Sequence, residues 1–325
     1  MATIKDVAER SGISIKTVSR VLNGVETVRP KVRAKVEAAI RDLNYRPALA
    51  ARQLASGRSH VVVMLVPDVA AWYYSCMLLA AAQACRAVGY HLVVEVFDRA
   101  ALEADEDWRI GLSCDADAVI VLPPWSDHPH MVRALEALGL PAVRIAGRDA
   151  GYGRVLDVHD RGIACELVTH LIGRGHQRIA MIAPPSDRLA SEERHLGYRD
   201  AMAKAGLSVP EVFVVRGGMT FESGEEAFGR LMALPLRPTA IVAVNDATAL
   251  GAMTTALRLG FRVPGDLAFT GFDNSTESRS AYPALTTVEQ PFDAMARKAV
   301  LMAIGREGED MPMTPRIILR ASSEG

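Results

Sequence analysis

A chain of 325 residues is longer than a single hydrophobic core usually supports, so two or more domains are expected. Half of the residues are hydrophobic and no long run is biased in composition, which excludes an intrinsically disordered chain. No run of about 18 apolar residues occurs, and the N-terminus lacks the features of a signal peptide. A membrane or secreted protein is therefore not expected, and the expected location is the cytoplasm.

Charge is distributed unevenly along the chain, although the formal net charge is only −1. Residues 1–60 hold 12 lysines and arginines against 5 acidic residues, whereas the remainder holds 25 against 33. A basic segment joined to an acidic one is typical of a polyanion-binding module attached to a domain that does not bind polyanions. The first 60 residues are therefore the expected nucleic-acid interface.

Two short helices separated by a glycine-containing turn are predicted at the N-terminus. Thr3 is expected to cap the first, with Asp6 completing a capping box, and Gly12 is expected to end it. Ser14 is placed to cap the second helix, and a third helix from Pro30 closes a three-helix core. The pattern predicts a helix-turn-helix, with an ordinary amphipathic helix pair as the alternative. The predicted inward-facing residues of the second helix are Val18, Val21 and Leu22.

The outer face of the second helix carries the chemistry that a DNA-recognition helix needs. Arg20 could bridge O6 and N7 of a guanine, Lys16 could reach similar acceptors, and Ile15 offers an apolar surface to a thymine methyl. Short polar side chains suit phosphate oxygens, which position a helix without reading the sequence. The predicted phosphate contacts are Ser14, Thr17, Ser19 and Asn23.

Three strings make a family resemblance specific. They are Thr3-Ile4-Lys5-Asp6-Val7-Ala8, the segment from Ser14 to Asn23, and Leu43-Asn44-Tyr45-Arg46-Pro47. Together they resemble the headpiece signature of the lactose-repressor (LacI/GalR) family of transcriptional regulators. The resemblance implies that Ile15, Lys16 and Arg20 read bases, and that Ala48 to Ser56 is a hinge helix that orders on operator DNA.

The resemblance also implies a role for the string Ala51-Arg52-Gln53-Leu54. It places Leu54 as an apolar wedge in the minor groove at the operator dyad, with Ala51 and Arg52 beside it. Two residues depart from the family, because Ala48 stands where members often have Asn and Ala55 where many have Lys. Contacts of the hinge with phosphate or groove are therefore expected to be weaker, while the wedge is kept.

Beyond the head, short β-rich runs alternate with helical stretches. The predicted strands are apolar throughout, which indicates parallel sheets covered on both faces by helices. In such sheets a ligand binds beyond the carboxyl ends of the strands, so the residues after each strand are the candidate site. The predicted strands are 61–66, 92–96, 118–122, 179–182, 240–244 and 267–272.

Polar and aromatic residues cluster near the predicted ends of these strands. Aromatic faces stack on the C–H faces of a sugar, and carboxylates, amides and arginines bond its hydroxyls. The combination predicts a polyol-binding cleft, although each residue alone could be an ordinary loop or cap residue. The candidates are Trp72, Tyr73, Tyr74, Trp125, Asp157, Arg188, Arg194, Asn245, Asp246 and Asp273.

This second part resembles the type I periplasmic-binding-protein fold of the same family over nearly its full length. The matching strings are Gly175 to Ala180, Arg194 to Ala201, Asn245 to Gly251, Gly271 to Asp273 and Pro283 to Pro291. The resemblance implies that Arg194 and Asp273 clamp an effector. The other lining residues that it implies are Trp72, Tyr73, Asp157, Arg188 and Asn245.

Two walls of the implied pocket depart from the family. Ala71-Trp72-Tyr73 stands where members often have Asn-Pro-Phe, and Met219 stands where they often have a large aromatic residue. The identity of the ligand therefore does not transfer from the family. A sugar or glycoside is expected, while Arg188 and Arg194 leave a sugar acid or sugar phosphate open, and a non-sugar metabolite is a further alternative.

The predicted fold class is an all-α helix-turn-helix headpiece joined to an α/β body of two lobes with parallel sheets. The expected domains are 1–46 for the headpiece, 47–58 for the hinge and linker, and 59–325 for effector binding and dimerisation. The family fold implies that lobe 1 takes about 60–156 and 289–308, and lobe 2 about 157–288 and 309–325.

These features predict a repressor of carbohydrate-utilisation genes that binds a near-palindromic operator and is controlled by a small molecule. The chain ends soon after Arg320 without apolar heptads, so a homodimer is expected rather than a coiled-coil tetramer. A solute-binding protein would need a signal peptide in place of the basic head. An enzyme is not expected, because no G-x-S-x-G, P-loop or H-E-x-x-H motif occurs.

Cofactor and metal binding are not expected either. The cysteines lack C-x-x-C spacing, and they are interpreted as reduced thiols rather than disulfides or metal ligands. The segment from Asp127 to His130 could hold a metal, but Pro129 and the absence of a nearby cysteine favour a polar loop. The four cysteines are Cys76, Cys85, Cys114 and Cys165.

Overall fold

The chain forms two compact units, residues 1–60 and 61–325, which we call the head and the body. The structure is a computed structural model. Within the residues it describes, no helix is long and apolar enough to cross a membrane. The described residues are 2–22, 27–45, 53, 57–69, 71–147, 151–185, 189–306 and 312–324, with the side chains of 189–191 excepted.

The described residues of the head form three helices, and their local signals are those predicted. The Asp6 amide donates to the Thr3 hydroxyl and the Thr3 amide donates to the Asp6 carboxylate, so the capping box is confirmed. Gly12 ends the first helix with φ 68°, in the left-handed region that favours glycine. The helices are α1 (Ile4–Ser11), α2 (Ile15–Leu22) and α3 (Pro30–Asp42). The buried core of the head contains Val7, Val18, Val21, Val28, Val36, Ala39 and Tyr45.

Lobe 1 of the body is a parallel sheet of strand order β2-β1-β3-β4-β5 with helices on both faces. Successive side chains of a strand point to opposite faces of the sheet. Met64 accordingly packs on the side of the helices Trp72–Ala87 and Phe292–Ala303, and Leu65 packs on the side of the helices Arg99–Ala104 and Pro129–Leu138. The strands are β1 (Val61–Pro67), β2 (His91–Phe97), β3 (Ala118–Val121), β4 (Ala142–Ile145) and β5 (Arg154–Leu156). The helices are α4 (Trp72–Ala87), α5 (Arg99–Ala104), α6 (Pro129–Leu138) and α12 (Phe292–Ala303).

Lobe 2 repeats this architecture with strand order β7-β6-β8-β9. Its helices also cover both faces, α7 and α8 on one side and α9 and α10 on the other. The strands are β6 (Ile179–Ala183), β7 (Val214–Arg216), β8 (Ala240–Ala243) and β9 (Ala268–Thr270). The helices are α7 (Asp160–Gly173), α8 (Leu189–Lys204), α9 (Phe221–Met232), α10 (Asp246–Arg258) and α11 (Thr276–Ser280).

The two parallel sheets confirm the predicted fold class, with two differences. Strand β2 lies at the edge of its sheet and is partly exposed, with 64% of Val96 accessible, so it is not covered on both faces. Strands β10 (Thr287–Glu289) and β11 (Arg316–Ile318) form a small antiparallel pair that was not predicted. They flank α12 in sequence, and α12 packs in the core of lobe 1.

Helices α9 and α10 approach each other more closely than helices with larger side chains could. A Cβ atom on Gly224 would lie 2.1 Å from the carbonyl oxygen of Thr248, and one on Gly251 would lie 1.9 Å from that of Phe221. Backbone contacts this close require glycine. The contact also fixes the start of α9 against α10, next to the body's main cleft.

We expect Gly251→Ala to destabilise the protein by about 1–3 kcal/mol, because the new methyl group overpacks the contact between α9 and α10. Gly229→Ala is the matched control, since a Cβ atom there meets nothing within 4 Å and alanine favours a helix by about 1 kcal/mol. Thermal unfolding of the full chain should therefore shift in opposite directions for the two variants. Shifts of the same sign would show that the close approach is not a constraint.

Candidate functional site

The exposed face of α2 carries the predicted base-reading side chains. Ile15, Lys16 and Arg20 are all exposed, whereas Val18 and Val21 of the same helix are buried. The Arg20 guanidinium donates to the hydroxyl of Thr27 at 2.8 Å, so Thr27 holds this side chain in the unbound head. The face therefore presents two cations and one apolar side chain to solvent, as a major-groove reader requires.

The predicted phosphate contacts lie around the start and middle of α2. The hydroxyls of Ser14 and Thr17 are 3.0 Å apart, and Ser14 also accepts a bond from the Thr17 amide, so it caps the helix as predicted. Ser19 is half-buried. The predicted residues that lie outside the described part of the chain are Asn23, Ala51, Arg52 and Leu54 of the head and Arg188 of the body.

A cleft of about 620 Å³ lies at the carboxyl ends of the body's strands and is lined by both lobes. Most of the aromatic side chains come from lobe 1, and most of the polar side chains come from lobe 2. The structure brings together Trp72, Tyr73, Tyr74, Trp125, Arg194, Met219, Asn245, Asp246 and Asp273. The cleft also contains residues with no predicted role, among them Asp160, Phe221 and Gln290.

Arg194 lies at the centre of the polar wall and is buried. Its Nε donates to Asp160 Oδ2 at 2.9 Å, and one terminal nitrogen donates to the Val244 carbonyl at 2.7 Å. The same nitrogen is 3.9 Å from Asp273, so the predicted pair with Asp273 is the longer of its two ion pairs. Burial lowers the pKa of Arg194, but Asp160 and Asp273 outweigh it and the pKa is raised. The guanidinium is therefore charged and already neutralised by the Asp160 carboxylate.

Two carboxyl groups of the cleft have raised pKa values. Burial raises the pKa of Asp273 to about 7, although Arg194 opposes the shift. Its Oδ1 accepts a bond from Gln290 at 2.6 Å. Burial also raises the pKa of Asp246 to about 6, opposed by hydrogen bonds from Thr287 and the Ser275 amide. The cleft therefore holds one carboxyl group, that of Asp273, which is only partly ionised near neutral pH.

Tyr73 supplies the clearest polar group that has no partner. Its hydroxyl is buried and has no hydrogen-bond partner among the described residues. Burial raises the pKa of this hydroxyl, so it is neutral and able to donate. Its ring makes edge contacts with Tyr74 and Phe292, which fix its position in the wall.

Asn245 organises the opposite wall instead of presenting its amide freely. Its Oδ1 accepts from the Thr248 amide at 2.9 Å, which caps α10, and its Nδ2 donates to the Met219 carbonyl at 2.9 Å. The cap therefore belongs to Asn245, and Asp246 is the first residue of the helix. Met219 is held by this bond at the lining of the cleft.

Trp125 closes the cleft floor on a short 3-10 turn, and only 2% of it is exposed. Behind it, Arg144 donates to Asp127 at 2.7 Å in a buried ion pair. His130 Nδ1 lies 2.7 Å from the Leu102 carbonyl. These contacts account for the segment that was considered as a metal site, and the described residues hold no group of three or more potential metal ligands.

Asp157 does not line the cleft, which corrects the prediction. Its carboxylate is largely exposed, and Oδ1 accepts from the His159 amide at 2.8 Å in a local turn. Asp160, three residues further on, is the carboxylate that reaches Arg194. The only sequence signal that favours Asp160 over Asp157 as a cleft residue is its position in the first turn of α7, which places its side chain near the strand ends.

Comparison with known proteins gives matches over the whole chain. Residues 3–48 match the model of the bacterial regulatory proteins of the lacI family, and residues 168–323 match a periplasmic binding protein-like domain. The ribose operon repressor of Escherichia coli K12 is 31% identical over 99% of this chain and 100% of its own length. The repressor PurR of Klebsiella pneumoniae is 32% identical over 99% of this chain and 97% of its own.

Solved structures also match nearly the full length of the chain. The CelR–cellobiose complex is 30% identical with a TM-score of 0.70, and the match covers 99% of this chain and 100% of that one. The Lac repressor bound to ONPG in the repressed state is 26% identical with a TM-score of 0.75, covering 99% of both chains. The similarity therefore includes both the head and the body.

We expect Asp160→Asn to destabilise the protein by about 3 kcal/mol, because it removes the shorter ion pair of a buried arginine. Asp157→Asn is the matched control, and it should change the unfolding free energy by less than about 0.5 kcal/mol because that carboxylate is exposed. Urea unfolding of the two variants beside the wild type checks this. Equal losses would mean that Asp160 does not have this role.

The raised pKa of Asp273 predicts a pH dependence. Folded Asp273 keeps a proton up to about pH 7, whereas the unfolded group releases it near 3.8, so its contribution to stability falls as pH rises between these values. Asp273→Asn removes this loss. Between pH 5 and pH 8, the unfolding free energy of the variant relative to that of wild type should therefore rise by about 2–3 kcal/mol.

Asp266→Asn is the control for this experiment. Hydrogen bonds from Arg262 lower the pKa of Asp266 to about 2, so the group is ionised throughout the range. The stability of this variant relative to wild type should not change between pH 5 and pH 8. A flat profile for Asp273→Asn as well would mean that Asp273 is ionised across the range.

Proposed function

The chain belongs to the lacI family of bacterial regulatory proteins, and we propose that it represses carbohydrate-utilisation genes under the control of a neutral sugar or glycoside. Membership makes it a DNA-binding transcriptional regulator with a ligand-binding body. The proposal concerns the effector, the residues that bind it and the way binding reaches the operator. Binding rather than catalysis is the proposed activity, and the cytoplasm is the proposed location.

The charge balance of the cleft is the observation that supports a neutral effector. Among the described lining residues, the cations are Arg99 and Arg194. Arg99 pairs with Asp68 at 3.0 Å, and Arg194 is neutralised by Asp160 at 2.9 Å. Among the described lining residues, a sugar acid or sugar phosphate would therefore meet acidic groups and no spare cation, so a neutral ligand is favoured.

The shape and lining of the cleft support a sugar with an apolar face. Trp72, Tyr73 and Trp125 form an aromatic side, opposite a polar side that includes Arg194 and Asp273. Sugars bind between surfaces of this kind, with rings on their C–H faces and polar groups at their hydroxyls. The volume of about 620 Å³ suits a disaccharide or substituted glycoside. Among similar proteins, CelR is solved with cellobiose and the Lac repressor with ONPG.

The proposed mechanism uses a homodimer on a near-palindromic operator. Each α2 enters a major groove, where Ile15, Lys16 and Arg20 read bases, and Leu54 of each hinge wedges the central step. Effector binding changes the closure of the two lobes and with it the population of the DNA-competent state. A coupling of about 1–3 kcal/mol is enough to change operator affinity roughly 5- to 150-fold. The proposed domains remain 1–46, 47–58 and 59–325.

A thermal-shift screen of the full chain tests the effector class. Cellobiose and neutral aryl glycosides are expected to raise the unfolding temperature, whereas gluconate and glucose 6-phosphate are not, because bound ligand stabilises the folded state. Trp72→Ala should lower the affinity for the stabilising sugar about tenfold, since an aromatic contact contributes up to about 1.5 kcal/mol. The control Leu236→Ala removes an exposed side chain outside the cleft. A response to the anionic sugars alone would overturn the choice of a neutral effector.

Operator variants test the head. Arg20→Ala should reduce the binding preference for the correct base by about 1–3 kcal/mol at one base pair in each half-site, because it removes a bidentate contact with guanine. Thr17→Ala is the comparison variant, and it should weaken all sequences alike because its partner is phosphate. Binding is measured at one fixed salt concentration on an operator found by in vitro selection. If Arg20→Ala weakened every sequence equally, the base-reading role would be wrong.

A further inference from the structure

A second cavity, of about 540 Å³, lies in lobe 2 beside β7, the edge strand of its sheet. It shares no lining residue with the main cleft. Its walls come from α8, from β7 and the segment before it, and from the end of α9 and the turn after it. We call it the edge groove, and the lining residues used below are His195, Arg199, Val212, Arg216, Arg230 and Leu234.

The edge groove carries more positive charge than its own carboxylates neutralise. Arg216 is neutralised, because its two terminal nitrogens donate to the Glu192 carboxylate at 2.8 and 2.9 Å. Arg199 and Arg230 form no ion pair with a described residue, and Arg230 only donates to the Arg216 carbonyl at 3.1 Å. Glu211 is the one carboxylate in the described lining. Two exposed guanidinium groups therefore face a single acid.

His195 in the groove wall is a second and independent observation. The imidazole is buried, with 7% of the side chain exposed. Its Nδ1 lies 2.5 Å from the Glu192 carboxylate, which orients the ring. The opposite nitrogen, Nε2, has no hydrogen-bond partner among the described residues. Leaving such a group without a partner costs free energy, which a ligand hydroxyl would recover.

The remaining wall is apolar. Val212 is 59% exposed, and Leu234 is half-buried. An exposed apolar surface next to unneutralised arginines suits a ligand that is anionic at one end and apolar at the other.

We propose that the edge groove binds a small anion that carries an apolar group, a hydroxy acid or a phosphate monoester. Arg199 and Arg230 bind the anionic group, and Nε2 of His195 accepts a further bond from the hydroxyl of a hydroxy acid. The apolar part packs against Val212 and Leu234. This site is distinct from the effector cleft, which has no spare cation among its described residues.

Calorimetric titration of the full chain tests the proposal, with mandelate and phenyl phosphate as probes at constant ionic strength. Either probe is expected to bind, and the double variant Arg199→Gln/Arg230→Gln should lower its affinity at least tenfold. Arg86→Gln is the matched control, because Arg86 is an exposed arginine in lobe 1.

The outcomes separate the parts of the proposal. Binding of one probe alone supports the site and identifies the anionic group that it takes. Phenylacetate, which lacks the hydroxyl, should bind more weakly than mandelate, and equal affinity would overturn the role of His195. No binding of either probe, or affinity retained in a folded double variant, would overturn the site itself.

Discussion

One buried guanidinium connects the elements that surround the main cleft. Arg194 on α8 reaches Asp160 at the start of α7 and the Val244 carbonyl after β8, and it lies 3.7 Å over the ring of Phe272 after β9. A buried charge is tolerated only where it is paired and hydrogen-bonded, so these segments must converge at one point. The convergence occurs where the parallel strands end, and this places the polar wall of the cleft.

The charge that builds this wall also limits what the wall can bind. Because Arg194 is satisfied by the protein, it offers a ligand its remaining hydrogen-bonding capacity rather than a free positive charge. The aromatic side chains of Trp72 and Trp125 come from the other lobe. A ligand that stacks on these two rings and also bonds to Arg194 must touch both lobes, which is why the proposed function couples ligand binding to lobe closure.

Sequence reasoning succeeded where local chemistry decides the structure. The Thr3–Asp6 capping box depends only on residues three apart, and long apolar runs such as β1 have no alternative to burial. It failed for β4, β5 and β7, which are three or four residues long and each contain an arginine. It also selected Asp157 for the cleft, which is lined by Asp160 instead. The Asp157 carboxylate accepts a local hydrogen bond from the His159 amide, whereas the Asp160 carboxylate accepts one from Arg194, which is distant in sequence.

The two cavities of the body depend on the same pieces of backbone. Arg194 and His195 are consecutive on α8, and successive helical side chains point about 100° apart, so one lines the cleft and the other the edge groove. Arg216 ends β7 in the groove, and Gly218, two residues later, lines the cleft. The Glu192–Arg216 ion pair ties α8 to β7. A displacement of either element at one cavity therefore reaches the other, and any resulting linkage between two ligands must be reciprocal.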